Sequence, residues 1–160
     1  MRHLALHVPT VAVLLLAGLF SCGQLLPSEA GVRRVIDGDT VELTDGRLVR
    51  YIGIDAPEVR RREGGRWVVD PQPFGREAAE FNRQLVEGRR VRLEYDVQTH
   101  DRFNRLLAYV YVGESLVNAE LERAGFAQPL TIPPDVRYAE RFRLLAHAAR
   151  QARRGLWSRR

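Results

Sequence analysis

Short alternating runs cut by Asp-Gly turns constrain this chain most. Val32 to Ile36 alternates and stops at Asp37-Gly38, a strong turn signal. Val41-Glu42-Leu43 follows, and Asp45-Gly46 turns the chain again. Leu48 to Ile54 is the third run, with Leu48, Arg50, Ile52 and Ile54 expected on one face. This spacing predicts a three-stranded meander. Val91 to Tyr95 and Leu106 to Val112 add two strands.

Helical signals separate and follow the strands. Pro73 to Glu87 places Ala78, Phe81 and Leu85 at helical spacing, and Gly88 stops it. Asn118 is expected to cap a short helix ending at Gly125. Asp135 is expected to cap a last helix running to about Arg154, with Tyr138, Phe142, Leu145 and Ala149 on its buried stripe. Between the meander and the first helix, Arg60 to Gln72 breaks every pattern and reads as a long, mobile surface loop. A nucleic-acid contact there is the second reading, because Trp67 sits among arginines. The fold class expected is α+β, mainly β: a five-stranded, closed barrel of the oligonucleotide-binding (OB) type with about three helices.

The first residues do not belong to that fold. Arg2 and His3 precede an apolar stretch from Leu4 to Phe20, the pattern of an export signal. Its dense apolar part is shorter than the roughly 20 residues of a membrane span. Leu19-Phe20-Ser21-Cys22-Gly23 resembles a bacterial lipobox, in which Cys22 would carry the lipid. Residues 1–22 are therefore read as a signal peptide or lipoprotein signal, residues 23–31 as a linker and residues 32–158 as the folded domain. Cleavage near Ser28-Glu29-Ala30 and an uncleaved anchor are the other readings. All of them export the domain, as a secreted, periplasmic or membrane-anchored protein. Cys22 is the one cysteine, which excludes an intrachain disulfide.

Charge narrows the partners. The net charge is +5, the pI is near 10.1, and no Lys is present, so all 25 cationic side chains are Arg. Arg suits bidentate phosphate recognition, although genomic base composition is the simpler cause of missing Lys. Excess positive charge still favours polyanions. Three segments then stand out: Asp37-Gly38-Asp39-Thr40, Arg50 with Asp55-Ala56-Pro57-Glu58, and Asp101-Arg102-Phe103-Asn104-Arg105. Together they offer acids that can gather round one cation and arginines that can clamp a phosphate. Phosphodiester hydrolysis needs both, plus a carboxylate able to take a proton from water. Hard oxygen donors suit Ca²⁺ or Mg²⁺, and no His or Cys cluster suits zinc. Alone, Asp37-Gly38-Asp39-Thr40 is a hairpin turn and Asp55-Ala56-Pro57-Glu58 a solvated strand exit; their combination with Arg50 weighs against those readings.

Val35 to Val41, Arg50 to Glu58 and Asp101 to Val110 resemble staphylococcal-nuclease-like proteins, the thermonuclease family. Asn118, Leu121, Gly125 and the final Gly155-Leu156-Trp157 fit the same pattern, so the resemblance spans roughly Val32 to Trp157 in order. It implies an OB barrel and an exported, calcium-dependent nuclease cutting DNA, with RNA a second substrate. It implies Asp39, Asp55 and the Ala56 carbonyl as Ca²⁺ ligands, and Glu58 as general base. Arg50 and Arg105 would bind the phosphate, and Arg102 and Phe103 would touch substrate. Asp37 ranks below Asp39, shaping the turn or supporting the metal indirectly. The family often has tyrosines after its second helix and at position 103. Here Gln128 to Pro134 holds no aromatic and position 103 is Phe, leaving Trp67 and Tyr138 as replacements. The chain is expected to act as a monomer. Its rivals are an inactive OB module binding single strands and a non-enzymatic scaffold on anionic lipid.

Overall fold

The Asp37-Gly38 turn forms and the barrel closes behind it. The structure is a computed structural model, and it describes residues 25–158. The expected signal, its processing and Cys22 lie outside the described residues. Strand β1 (Glu29–Asp37) pairs antiparallel with β2 (Thr40–Leu43), placing Asp37 opposite Thr40. β2 pairs with β3 (Leu48–Tyr51), placing Thr40 opposite Arg50. A short β4 (Ile54–Asp55), the hairpin β5 (Arg60–Glu63) and β6 (Arg66–Val69), and helix α1 (Gly75–Val86) follow. Then come β7 (Arg90–Glu94), β8 (Leu106–Val112), β9 (Ser115–Leu116), α2 (Val117–Ala124), β10 (Gln128–Pro129) and α3 (Ala139–Gln151).

Closure comes from two non-local pairings. β1 pairs with β7 through Glu29 and Arg92, and β3 lies parallel to β8 with Arg50 opposite Leu107. With β7 antiparallel to β8, the five strands β1-β2-β3-β8-β7 form a closed ring, the expected OB barrel. Its interior is branched and aromatic: Val32, Val41, Leu43, Val49, Tyr51, Val91 and Leu93 are buried. β8 is buried almost throughout because helices cover its outer face, so Leu106 and Ala108 to Tyr111 read as one apolar run.

The expected faces and caps need correction. β3 stops at Tyr51, and its core residues are Val49 and Tyr51, while Leu48 is exposed. Arg50 therefore points away from the barrel interior, where carboxylates meet it. Asn118 does not cap α2; it is buried in the first turn. Its Oδ1 accepts from the Val110 amide at 3.0 Å, and its Nδ2 donates to the Ile52 carbonyl at 2.8 Å. Asp135 does not cap α3, which starts at Ala139; its Oδ1 accepts from the Gln98 amide at 2.8 Å. β1 begins at Glu29, inside the stretch expected to be linker, because Glu29, Ala30 and Gly31 pair with β7.

The segment read as a mobile loop, Arg60 to Gln72, contains an ordered hairpin. Gly64 and Gly65 both have positive φ (54° and 81°), the backbone that a two-residue hairpin turn needs. Arg-rich strands carry no apolar alternation, which hid them.

α1 is tied back to the first turn. The Tyr51 hydroxyl donates to Asn82 Oδ1 at 3.0 Å, and Asn82 Nδ2 donates to the Asp37 carbonyl at 3.3 Å. Gly38 lies under this helix: a Cβ there would fall 2.5 Å from Ala56 Cβ and 3.0 Å from Ala78 Cβ. Gly38→Ala is expected to lower the urea midpoint by about 1–3 kcal/mol in stability, the usual cost of overpacking.

α2 carries a buried acid. Glu122 is fully enclosed, neither of its oxygens is hydrogen-bonded among the described residues, and burial pushes its pKa up to about 8. The unfolded chain releases this proton near 4.3. Stability is therefore complete below that value and drains as pH rises through about 8. Glu122→Leu should raise Tm by more at about pH 9 than at about pH 5. An equal gain at both pH values would contradict this assignment.

Candidate active site

Asp39 organises the site. It follows Gly38 in the β1–β2 turn, and only 2% of it is exposed. Its Oδ2 accepts from the Ala56 amide at 2.6 Å, and its Oδ1 accepts from the Thr40 hydroxyl at 3.1 Å. Its main-chain carbonyl takes the Tyr51 amide at 2.9 Å. Turn, β3 and the β4 exit are thus joined through one residue.

Arg50 reaches the same carboxylate. Its NH1 pairs with Asp39 Oδ2, and its NH2 donates to Asp55 Oδ1 at 2.7 Å. One guanidinium bridges two aspartates. Asp39 is buried, whereas the Asp55 side chain is 56% exposed. Ala56 is buried with its amide on Asp39.

Glu58 stands beyond Pro57. Its backbone is held by Gln72: the Glu58 amide donates to Gln72 Oε1 at 3.1 Å, and the Gln72 amide donates to the Glu58 carbonyl at 2.9 Å. Surrounding protein pushes the Glu58 pKa up to about 7; the Asp37 charge, a hydrogen bond shared with Asp37 and the Asp55 charge add to the rise, while Arg50 opposes it. Asp37 is also raised, first by burial, although Arg50, Thr40, Glu58 and Arg105 pull it down. Each of these carboxyls thus bears on the other's ionisation, and both are held above their usual range. Asp37 is thus a partner of Glu58, which its place in a turn signal did not reveal.

Arg105 arrives from the neighbouring strand, at the foot of β8, which pairs with β3. Asp101 fixes it: Oδ1 accepts from the Phe103 amide (2.9 Å) and the Arg105 amide (3.0 Å), and Oδ2 accepts from Arg105 Nε at 2.7 Å. Burial alone would raise Asp101, but these bonds outweigh it and hold the carboxyl below its usual range. Asn104 makes the tight turn with φ 61°. Arg105 is close enough for its charge to act on Asp37. Phe103 is 65% exposed, with the Arg102 guanidinium 4.8 Å and the Arg105 guanidinium 5.6 Å from its ring centre. Arg102 and Phe103 therefore border the cluster at solvent without joining its hydrogen bonds.

Asp39, Arg50 and Asp55 are thus joined directly, Glu58 and Asp37 act on this group and on each other through charge, and Arg105 is linked to it by its charge on Asp37. Among the described residues no three His, Cys, Asp or Glu side chains stand ready to ligate one ion. The donors nonetheless fit a hard cation. Two carboxylates already share one positive group, Arg50, and two more, Asp37 and Glu58, have raised pKa values. All are oxygen donors, which suits Ca²⁺ or Mg²⁺. A groove of about 420 Å³ leads from Glu58 along the β5–β6 hairpin to Trp67. A smaller apolar slot beside Arg50 is closed by Leu107, Leu130 and Ile132.

The Glu58 titration tests this geometry directly. Asp37→Asn removes the neighbouring charge, so the carboxyl midpoint of Glu58, followed by carbon NMR, should fall from about 7 towards the ordinary carboxylate range. An unmoved midpoint would separate the two groups.

Sequence comparison agrees with the fold. The family model described as staphylococcal nuclease homologue matches residues 48–159. A thermonuclease of Staphylococcus hyicus is 37% identical over 130 residues, covering 79% of this chain and 74% of the relative. A thermonuclease of Staphylococcus intermedius is 35% identical over 131 residues, covering 80% and 75%. An endonuclease of Bacillus subtilis is 34% identical over 130 residues, covering 78% of this chain and 59% of its own. With the closed barrel and the acid–arginine cluster at its edge, these matches lead to one conclusion: the chain belongs to the staphylococcal nuclease family and is a nuclease.

Proposed function

We propose that this nuclease is exported and calcium-dependent, and that it hydrolyses phosphodiester bonds of DNA and also RNA at the Asp39–Arg50–Glu58 cluster. The observation that carries this reading is the bridging of Asp39 and Asp55 by Arg50, beside a Glu58 whose pKa is raised to about 7. Asp39, Asp55 and the Ala56 carbonyl are the proposed Ca²⁺ ligands. When bound there, the ion would supply Lewis-acid polarisation of the scissile phosphate.

The chain's own residues account for the remaining steps. Glu58, deprotonated, takes a proton from a water aligned opposite the leaving oxygen. That water attacks phosphorus as the bond to the leaving oxygen breaks. Arg50 exchanges its carboxylate partners for phosphate oxygens, and Arg105 donates from the adjoining strand. Both meet charge that grows in the transition state, so they act more on turnover than on binding. Arg102 and Phe103 would steady the neighbouring nucleotide at the rim. An inactive single-strand-binding module would have no use for these acids and arginines together.

Export rests on the apolar leader from Leu4 to Phe20, with lipidation of Cys22 as one route. Among the described residues no helix is long and apolar enough to cross a membrane.

Supercoiled plasmid incubated with the purified chain should be cut in calcium and left intact in chelator. Arg50→Ala or Arg105→Ala should lower kcat by about 10²–10³-fold with little change in KM. Full plasmid cleavage by Glu58→Gln would contradict the assigned base. The base form of Glu58 grows as pH rises through its pKa, so in saturating calcium kcat/KM should climb with pH and flatten above a midpoint lower than the about 7 of the metal-free chain.

A further inference from the structure

The β5–β6 hairpin takes no part in the hydrolytic chemistry, yet it carries the least ordinary surface of the described chain. Its register pairs Arg60 with Val69 and Arg62 with Trp67, so these four side chains share one face. Trp67 is 65% exposed and Val69 is 67% exposed. The Arg60 guanidinium lies 5.9 Å from the Trp67 ring centre. On the opposite face Arg61 is neutralised by Asp70 and Glu63. Arg60 and Arg62 have no ion pair among the described residues. An exposed aromatic between two uncompensated guanidiniums is poorly suited to water alone and well suited to a base between two phosphates.

The hairpin is also positioned rather than loose. Gln72, at its base, bonds both the amide and the carbonyl of Glu58, and the Asp70 amide donates to the Val59 carbonyl at 3.2 Å. Arg60, Arg62 and Trp67 line the same groove as Glu58, together with Arg61 and Asp70. Three residues separate Glu58 from Arg62, a reach of ~13 Å in extended chain, enough for a few nucleotides. A groove fits a polymer chain better than a flat anionic membrane surface. A ring can stack only on a base whose face is free, which duplex interiors do not offer.

We propose that the Arg60–Arg62–Trp67 face is a substrate subsite that stacks an unpaired base on Trp67 and holds the adjoining phosphates with Arg60 and Arg62. This rests on the reading of Glu58 as the cutting end of the groove.

The test uses the Glu58→Gln chain, with cutting silenced, and a short poly-dT oligonucleotide. Binding should quench tryptophan fluorescence, and adding Trp67→Phe should abolish most of the quench while keeping affinity. Trp67→Ala should weaken poly-dT binding by about tenfold or more, with a much smaller effect on a duplex of equal length. Arg60→Ala with Arg62→Ala should lower the salt dependence of binding by about one to two phosphate contacts. Equal losses on duplex and single strand, an absent quench, or Trp67 responding to anionic vesicles instead of poly-dT would overturn the subsite. If wild-type chain cuts poly-dT while Trp67→Ala binds it normally, the subsite alone fails. If nothing is cut but the quench persists, the hydrolytic reading of Glu58 fails and the subsite stands.

Discussion

One buried carboxylate, that of Asp39, joins the parts on which the rest depends. It takes the Ala56 amide, the Thr40 hydroxyl and the Arg50 guanidinium, each from a different stretch of chain. Burying a charge costs several kcal/mol unless hydrogen bonds and a counter-charge offset it. Here all three are present, so the β1–β2 turn, β3 and the β4 exit hold one arrangement. Gly38 allows that arrangement because no Cβ separates the turn from Ala56 and α1. Removing the carboxylate would leave Arg50 with only the more exposed Asp55.

The same geometry places the acids under electrostatic load. Asp37 and Glu58 are both raised above the usual carboxylate range, and Arg50 spans Asp39 and Asp55. Such a cluster is relieved by a divalent cation, which would let Glu58 ionise and free Arg50 for a phosphate. Arg105 is preorganised separately, by Asp101 through backbone and side-chain bonds. Resting ion pairs that give way to substrate contacts let the guanidiniums act mainly when charge builds up on the ester.

Much of this was legible in the sequence, for physical reasons. Asp-Gly turns and alternating runs are local signals, so the meander, β8 and the helices could be read from spacing. Asp39, Asp55, Glu58, Arg50 and Arg105 were legible as chemistry-bearing residues, and the structure joins Asp39, Arg50 and Asp55 directly while Glu58 and Arg105 bear on the group through charge. The facing of Arg50 was not legible, because β3 ends at Tyr51 and alternation alone leaves both faces of such a strand partly apolar. Asn118 looked like a cap because Asn favours caps, yet it bridges β8 and Ile52, a tertiary use invisible in sequence. The β5–β6 hairpin was hidden by arginines at every strand position but its last on β5, although Gly64-Gly65 was a usable signal. The Asp37–Glu58 pair depends on two segments meeting across the turn and could not be read from spacing.

The central claim is that these separated acids form a single electrostatic unit made for a divalent cation. The most direct measurement is the carboxyl titration of Glu58 in the wild-type chain, with and without calcium, free of substrate. The account predicts that calcium moves the midpoint from about 7 down by a unit or more. A midpoint indifferent to calcium would contradict it, because the ion would then bind elsewhere or not at all.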